Sequence, residues 1–266
     1  MRESVAEKWV QNYKRHPIGK EEPLRWIFSE FPWQSAVSWT AKLKKNLNDS
    51  SSAKVLEAGC GAGKLSIKLA KETGCPVFLL DYSQDALKSA KEILQELQKR
   101  DRKKYRVYFI QGDIKHLPFF DYAFELVFNE GVIEHWRDDF DRRFVINEMT
   151  RVTKRNGKVL IWVPNKKCIF RRFWKATKWL GYLRGVEEYP FSPSELKDAL
   201  EKSNLNDITV EAVDPQKSFF IWPAFLKIFK PMEAILLAAR RILPNSIRRH
   251  ADFRLSREIL GVGTKI

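Results

Sequence analysis

Cysteine and histidine are scarce in this chain, and their placement excludes several chemistries. Cys60, Cys75 and Cys168 are an odd, scattered set among 266 residues, without metal-ligand spacing. Such a set gives no disulfide framework and suits a reducing compartment. His16, His116 and His250 stand in no specific pattern. No apolar run approaches the roughly 18 residues that a membrane-spanning helix needs. Residues 1–8 lack the apolar core of a secretion signal. Without one, the Asn48-Asp49-Ser50 sequon carries little meaning. Internal repeats and low-complexity tracts are also missing. A cytoplasmic protein is expected, at most peripheral on a membrane.

Acidic residues are in deficit, 33 against 48 lysines and arginines, which leaves a formal charge of +15. The excess is local. Residues 166–184 hold seven basic groups and no acid, and residues 216–250 hold seven against the single acid Glu233. The rest of the chain is close to neutral. Hydrophobic residues make up 44% and aromatics 13%, enough for a packed core and against disorder. The length allows one large α/β domain with insertions or two small domains.

From Val55 onward, strand-like and helix-like segments alternate. Strands are predicted in the apolar run that starts at Val55 and ends in the acidic Glu57, and at Val77–Leu80, Tyr105–Ile110, Phe124–Phe128, Lys158–Val163, Ile208–Val213 and Glu258–Ile266. Helices are predicted after the first strand, at Ser83–Lys99, around Phe144–Thr150 and at Ser194–Lys202. Ser83 is a suitable N-cap, with Asp85 in the first turn. This alternation predicts a mostly parallel sheet covered by helices on both faces. The fifty residues before it, rich in tryptophan, phenylalanine, lysine and proline, read as short helices and turns that cap the domain. The expected organisation is a cap over residues 1–50 and a main α/β domain over 51–266, with basic aromatic insertions at 166–193 and 214–254.

The chemistry concentrates at the carboxyl ends of the predicted strands, where open α/β sheets bind ligands. Glu57-Ala58-Gly59-Cys60-Gly61-Ala62-Gly63 ends the first strand in a loop with glycine at alternate positions. Such a loop lets the backbone approach a ligand closely and leads into a helix N-terminus. The G-x-G-x-x-G spacing of dehydrogenases would need glycine at 64, where this chain has Lys64. Glu57 favours a ligand with a cationic amino group. Asp81 ends the second strand and can accept ribose hydroxyls, with Tyr82 beside it for an adenine. Gly112-Asp113-Ile114 ends the third strand and offers an acid to an exocyclic amine and an aliphatic side chain to the ring. Asn129-Glu130-Gly131-Val132-Ile133-Glu134-His135-Trp136 follows the fourth.

In this order these pieces resemble the class I S-adenosylmethionine-dependent methyltransferases, closest to the small-molecule group, over roughly residues 50–215 and the last strand. The matching motifs are Glu57–Gly63, Asp81, Gly112–Phe119 and Glu134-His135; Glu125, where the family often has aspartate, is a departure. The resemblance implies a Rossmann-like, doubly wound sheet in the order 3-2-1-4-5-7-6 with strand seven antiparallel. It implies S-adenosyl-L-methionine as cofactor. Glu57, Gly59, Cys60, Gly61 and Gly63 would hold the methionine moiety, Asp81 the ribose, and Tyr82, Asp113 and Ile114 the adenine. Asn129 would lie near the sulfonium.

Methyl transfer by in-line displacement draws most of its rate from positioning. A hydroxyl acceptor gains from a general base, and His135, with Glu134 beside it, is the candidate. The alternative is a histidine that hydrogen-bonds backbone and shapes its loop. No metal site is assigned, since Glu134 and His135 are only two ligands. The acceptor is expected to be a small or lipid-like molecule methylated on O or N. Phe170, Phe173, Trp174 and Leu180 recur at helical spacing beside Arg171, Lys175 and Lys178. Phe225, Ile228, Met232, Ile235 and Leu236 do the same beside Lys227, Lys230, Arg240 and Arg241. Such segments can lie on an anionic membrane, enclose an apolar substrate with an anionic head, contact RNA, or be a solvated surface. RNA methylation, or cofactor binding without catalysis, remain alternatives.

Overall fold

The computed structural model describes residues 4–15, 35–47, 51–169, 171, 187–213 and 244–266. Trp26, Phe28, Phe31 and Trp33, and the two basic aromatic stripes apart from Lys166, Lys167, Arg171, Arg248 and Arg249, lie outside the described residues. The chain runs α1 (Val5–Arg15), α2 (Ser35–Lys45), β1 (Val55–Ala58), α3 (Lys64–Thr73), β2 (Val77–Asp81), α4 (Gln84–Asp101) and β3 (Val107–Gln111). It continues through β4 (Phe124–Glu130), a 3-10 turn (Ile133–His135), α5 (Asp139–Val152) and β5 (Thr153–Pro164). The last elements are α6 (Pro193–Glu201), β6 (Leu205–Val213), α7 (Asn245–Leu255) and β7 (Glu258–Lys265).

The strands form one seven-stranded sheet in the order β3-β2-β1-β4-β5-β7-β6. β1 to β5 pair in parallel, and β7 runs antiparallel to both β5 and β6. Parallel strands buried on both faces need apolar side chains at successive positions, as in Val77-Phe78-Leu79-Leu80. Alternate positions feed two cores. Val55, Leu79, Leu126, Phe128 and Trp162 pack beneath α2, α3 and α4. Leu56, Leu80, Val127, Ile161 and Ile259 pack with α5 and α6.

Two strands, β5 and β6, start earlier than their hydrophobic pattern predicts. β5 runs through Asn156-Gly157, a pair that reads as a turn, with Asn156 at φ 61° and a register shift between Phe124 and Leu126 on β4. β6 starts three residues early because a bulge at Asp207, φ 49°, shifts the register between Asn206 and Thr209.

Helix starts are tied by side chains. The Ser83 hydroxyl accepts the Ala86 N–H at 3.3 Å, and Asp138 caps α5 by accepting the Phe140 N–H at 3.0 Å. Ser192 and Glu195 form a reciprocal capping box on α6, at 3.2 and 2.7 Å. Glu125, the departure noted above, accepts the Lys54 N–H at 2.7 Å and pairs with Lys154, so it anchors the base of β4.

Ser192→Ala removes the α6 cap and is expected to cost about 1 kcal/mol. The thermal midpoint should then fall by about 2–4 °C in calorimetry for a domain of this size. A midpoint that does not move would show that the capping box adds nothing to stability.

Candidate functional site

A cavity of about 360 Å³ opens at the carboxyl ends of β1, β2 and β4. Its floor is the loop after β1. Gly61 and Gly63 adopt left-handed φ of 52° and 64°, which L side chains rarely tolerate. A Cβ on Gly63 would stand 2.0 Å from Leu79 Cδ2, and one on Gly61 would stand 2.5 Å from the Tyr13 hydroxyl. The loop therefore brings backbone where any side chain would fill the space, and Gly63 seats α3 against β2.

Asp81 fixes this loop from the end of β2. Its Oδ2 accepts the Gly61 N–H at 2.7 Å and its Oδ1 accepts the Ser83 N–H at 2.8 Å. Burial raises the Asp81 carboxyl, while these backbone donors pull it back down. Glu57 is 3% exposed and its Oε2 has no hydrogen-bond partner. Burial lifts its carboxyl to about 8; Glu130 and Asp81 add repulsion, and Ser66 acts in the other direction. A buried carboxylate oxygen without a donor is costly unless a ligand completes it.

The cavity collects Glu57, Gly59, Cys60, Gly61, Asp81 and Tyr82 from the first two strand ends. Asp113 and Ile114 reach it from the loop after β3. Asp113 is half-exposed and accepts the Lys115 N–H at 2.9 Å, whereas Ile114 is buried.

Three of the expected residues are turned elsewhere. Asn129 is fully buried on the α5 side, with its amide donating to Met149 Sδ at 3.4 Å. Strand alternation sends its neighbour Glu130 to the cavity instead, on the same face as Glu57. This corrects the expectation for Asn129. Glu134 and His135 do not line the cavity; they are 2% and 7% exposed in the 3-10 turn just behind Gly131 and Val132. His135 Nδ1 lies 2.8 Å from the Glu187 carbonyl oxygen. A carbonyl only accepts, so Nδ1 carries a proton, and in the neutral ring the lone pair is on Nε2. His135 Nε2 is 4.0 Å from Glu134 Oε1.

A short segment crosses this turn. The Tyr189 N–H donates to the Glu134 carbonyl at 2.7 Å. Arg142 donates to the carbonyls of Trp136 at 2.7 Å and Tyr189 at 2.8 Å, and lies 4.4 Å over the Phe191 ring. This arginine locks the turn after β4 to the residues leading into α6.

Glu130, Lys64 and Trp136 were missed in the sequence as lining residues, whereas the expected cap over residues 1–50 supplies α1. Val5, Ala6, Trp9 and Tyr13 on α1 line the cavity, and the Trp9 ring meets His135 edge-on at 5.0 Å. Burial next to Asp81, Cys60, Glu57 and Glu130 raises the Tyr13 hydroxyl. Burial also lifts Glu130 to about 8; Glu258 adds to this and Lys64 opposes it. Glu130 could have been found by pairing β1 and β4 in register, since Glu57 stands beside Phe128. The sequence reading expects residues 1–50 to cap the domain, without saying which of them meet the loop.

A family described as a methyltransferase domain matches residues 49–213. The demethylmenaquinone methyltransferase of Lactobacillus johnsonii is 30% identical over 196 residues, which cover 65% of this chain and 75% of the relative. A second relative, methyltransferase GfsG of Streptomyces halstedii, is 34% identical over 122 residues; the match covers 46% of this chain and only 41% of that protein. Magnesium protoporphyrin IX methyltransferase of Synechocystis, solved with bound S-adenosylhomocysteine, shares the fold with a TM-score of 0.58. It is 16% identical, over 98% of this chain and 94% of its own. The orphaned Glu57 carboxylate, the side-chain-free loop and the anchored Asp81 fit the donor that such enzymes use. The chain belongs to the class I S-adenosylmethionine-dependent methyltransferases, and S-adenosylmethionine is its cofactor.

Proposed function

We propose that this methyltransferase alkylates O or N of a small-molecule or lipid-like acceptor held beside the turn after β4. The observation that carries the reading is the single cavity in which the glycine loop, Glu57 and Asp81 converge with Glu130 and two aromatic residues of α1. The name of the Lactobacillus relative, with demethylmenaquinone as acceptor, supports a small molecule.

S-adenosylmethionine supplies a methyl group already activated on a sulfonium. The residues of this chain bind, orient and exclude water. Glu57 takes the amino group of the methionine moiety, and the backbone of Gly59, Cys60 and Gly61 lies along it, with Gly63 holding the loop. Asp81 accepts ribose hydroxyls with lone pairs not used by Gly61 and Ser83. Asp113, Ile114 and Tyr82 bracket the adenine. Trp9 and Tyr13 close the cavity from the α1 side and keep water from the reacting atoms. His135, with its Nε2 lone pair, is the candidate acceptor of a proton from the substrate, and Glu134 adjoins it.

Two outcomes follow. An ammonium beside Glu57 favours the ionised carboxylate, so its value falls on binding and protons are released. Affinity for S-adenosylmethionine should rise with pH until it levels off near 8, where Glu57 is already ionised in the free protein. Calorimetry in buffers of different ionisation enthalpy reads this release, and Glu57→Gln should flatten the slope and weaken binding about tenfold or more. A pH-independent affinity in the unaltered protein would remove Glu57 from the donor site. Asp81→Ala should lose both the ribose contact and the hold on Gly61, weakening binding by at least about tenfold. Unchanged affinity in that variant would overturn the assignment of Asp81.

A further inference from the structure

Among the described residues, four acids line the cavity: Glu57, Asp81, Asp113 and Glu130. Three of them are engaged by the donor, Glu57 by its ammonium, Asp81 by the ribose and Asp113 by the adenine. Glu130 is left over, and its place is fixed by the sheet rather than by a loop. Glu57 stands beside Phe128, so Glu130 lies two residues further along β4 on the same face. It pairs with Trp162 of β5 at the last rung, and the Gly131 N–H donates to the Trp162 carbonyl at 3.2 Å. β4 flanks β1 on the side away from β2, so Glu130 and Asp81 stand on opposite sides of Glu57. A Cβ on Gly59 would come within 2.7 Å of Val132 Cγ2, so the chain just past Glu130 packs on the first glycine of the loop.

This end of the cavity is suited to positive charge. Glu57 lines it with a buried Oε2 that has no hydrogen-bond partner. Glu130 is half-buried in the same wall and repels Glu57. The other titratable groups coupled to Glu130 are Lys64 at the start of α3, Tyr13 on α1, Glu134 in the 3-10 turn and Glu258 on β7. Lys64 offsets part of the negative charge, and Glu258 adds to it. S-adenosylmethionine carries two cationic groups, an ammonium and a sulfonium, and Glu57 answers the first. The sulfonium lies between the amino-acid end and the ribose, and its methyl must point towards an acceptor held beside the turn after β4. Glu130 is the lining acid on that side. A fixed cation there favours its ionised form.

We infer that Glu130 faces the sulfonium and is a specificity-determining residue, which makes the site favour the charged donor over its spent form, S-adenosylhomocysteine. The inference rests on the donor reading and the acceptor side proposed above. In transfer, a lone pair of the acceptor forms the new bond to the methyl carbon. The C–S pair stays on sulfur, which becomes a neutral thioether. The ammonium, carboxylate, ribose and adenine are the same in both molecules. Contacts at Glu57, Asp81 and Asp113 therefore cancel in the ratio of the two affinities, whereas a carboxylate facing the sulfur does not cancel. Glu130 attracts the donor and gains nothing from the neutral sulfur, so it biases the site against retaining its product.

Calorimetric titration of the full chain with each of the two molecules, near neutral pH, reads this preference. The unaltered protein is expected to bind S-adenosylmethionine at least about threefold tighter than S-adenosylhomocysteine. Glu130→Gln should weaken S-adenosylmethionine about three- to tenfold more than S-adenosylhomocysteine, whereas Glu57→Gln should weaken both by similar factors. Glu130→Asp keeps the charge and should keep most of the preference. A residue that only shapes the wall would not move the ratio with charge in this way. Retained S-adenosylhomocysteine binding shows that a variant is folded. Where Glu130→Gln is not, Glu130→Ala removes the same charge, and the ratio in the unaltered protein still decides. S-adenosylmethionine binding no tighter than S-adenosylhomocysteine in the unaltered protein overturns the inference. So does a folded Glu130→Gln variant whose ratio stays within about twofold of the unaltered one. Failure of both molecules to bind the unaltered protein would sink the donor reading first; binding of both without a charge preference would sink only this one.

Discussion

One carboxylate holds the site together. Asp81 accepts the N–H of Gly61 and the N–H of Ser83, and so ties the loop after β1 to the start of α4 across the ends of two strands. Everything at that edge takes its position from this clasp. The loop can sit so close to β2 only because Gly63 presents no side chain to Leu79. Asp81 is itself held by parallel pairing of β2 with β1 and β3, with Asp81 beside Gln111 at the last rung. The register of the sheet thereby becomes the geometry of the cavity.

The second constraint is electrostatic. Glu57, Asp81 and Glu130 share one cavity, and burial lifts Glu57 and Glu130 to about 8. In the free protein these acids are held in an environment that disfavours their charged forms. A cationic ligand reverses that preference, which links occupancy to protonation. The cost of leaving them unpaired is the reason such a cluster belongs to a site rather than to a core. No helix among the described residues is long and apolar enough to cross a membrane.

Much of this was legible in the sequence because the signals are local. The strand end at Asp81, the glycine spacing and the Ser83 cap depend on neighbours a few residues away, and continuous apolar runs mark the central strands. Errors arose where a local signal meets a non-local one. Asn156-Gly157 has turn chemistry, yet the pairs of Thr153 with Phe124 and of Lys158 with Leu126 carry β5 along β4 through it. Asn129 is polar at a strand end, but parity turns its amide to Met149 and gives the cavity to Glu130. The His135 Nδ1 contact, to a carbonyl 52 positions away, is of the same non-local kind and leaves Nε2 as the candidate base.

The sequence by itself determined the order of strands and helices, the loop that receives the donor, and the acids that end β1, β2 and the turn after β3. Each follows from short-range chemistry: alternation, capping and the need for glycine at left-handed φ. Tertiary structure alone decided which carboxylates face one another, that α1 closes over the glycine loop, and that the segment at Glu187–Phe191 crosses the turn after β4. Those contacts join residues far apart in the chain. Their energies come from burial and from charges brought within one cavity, quantities that no stretch of sequence contains.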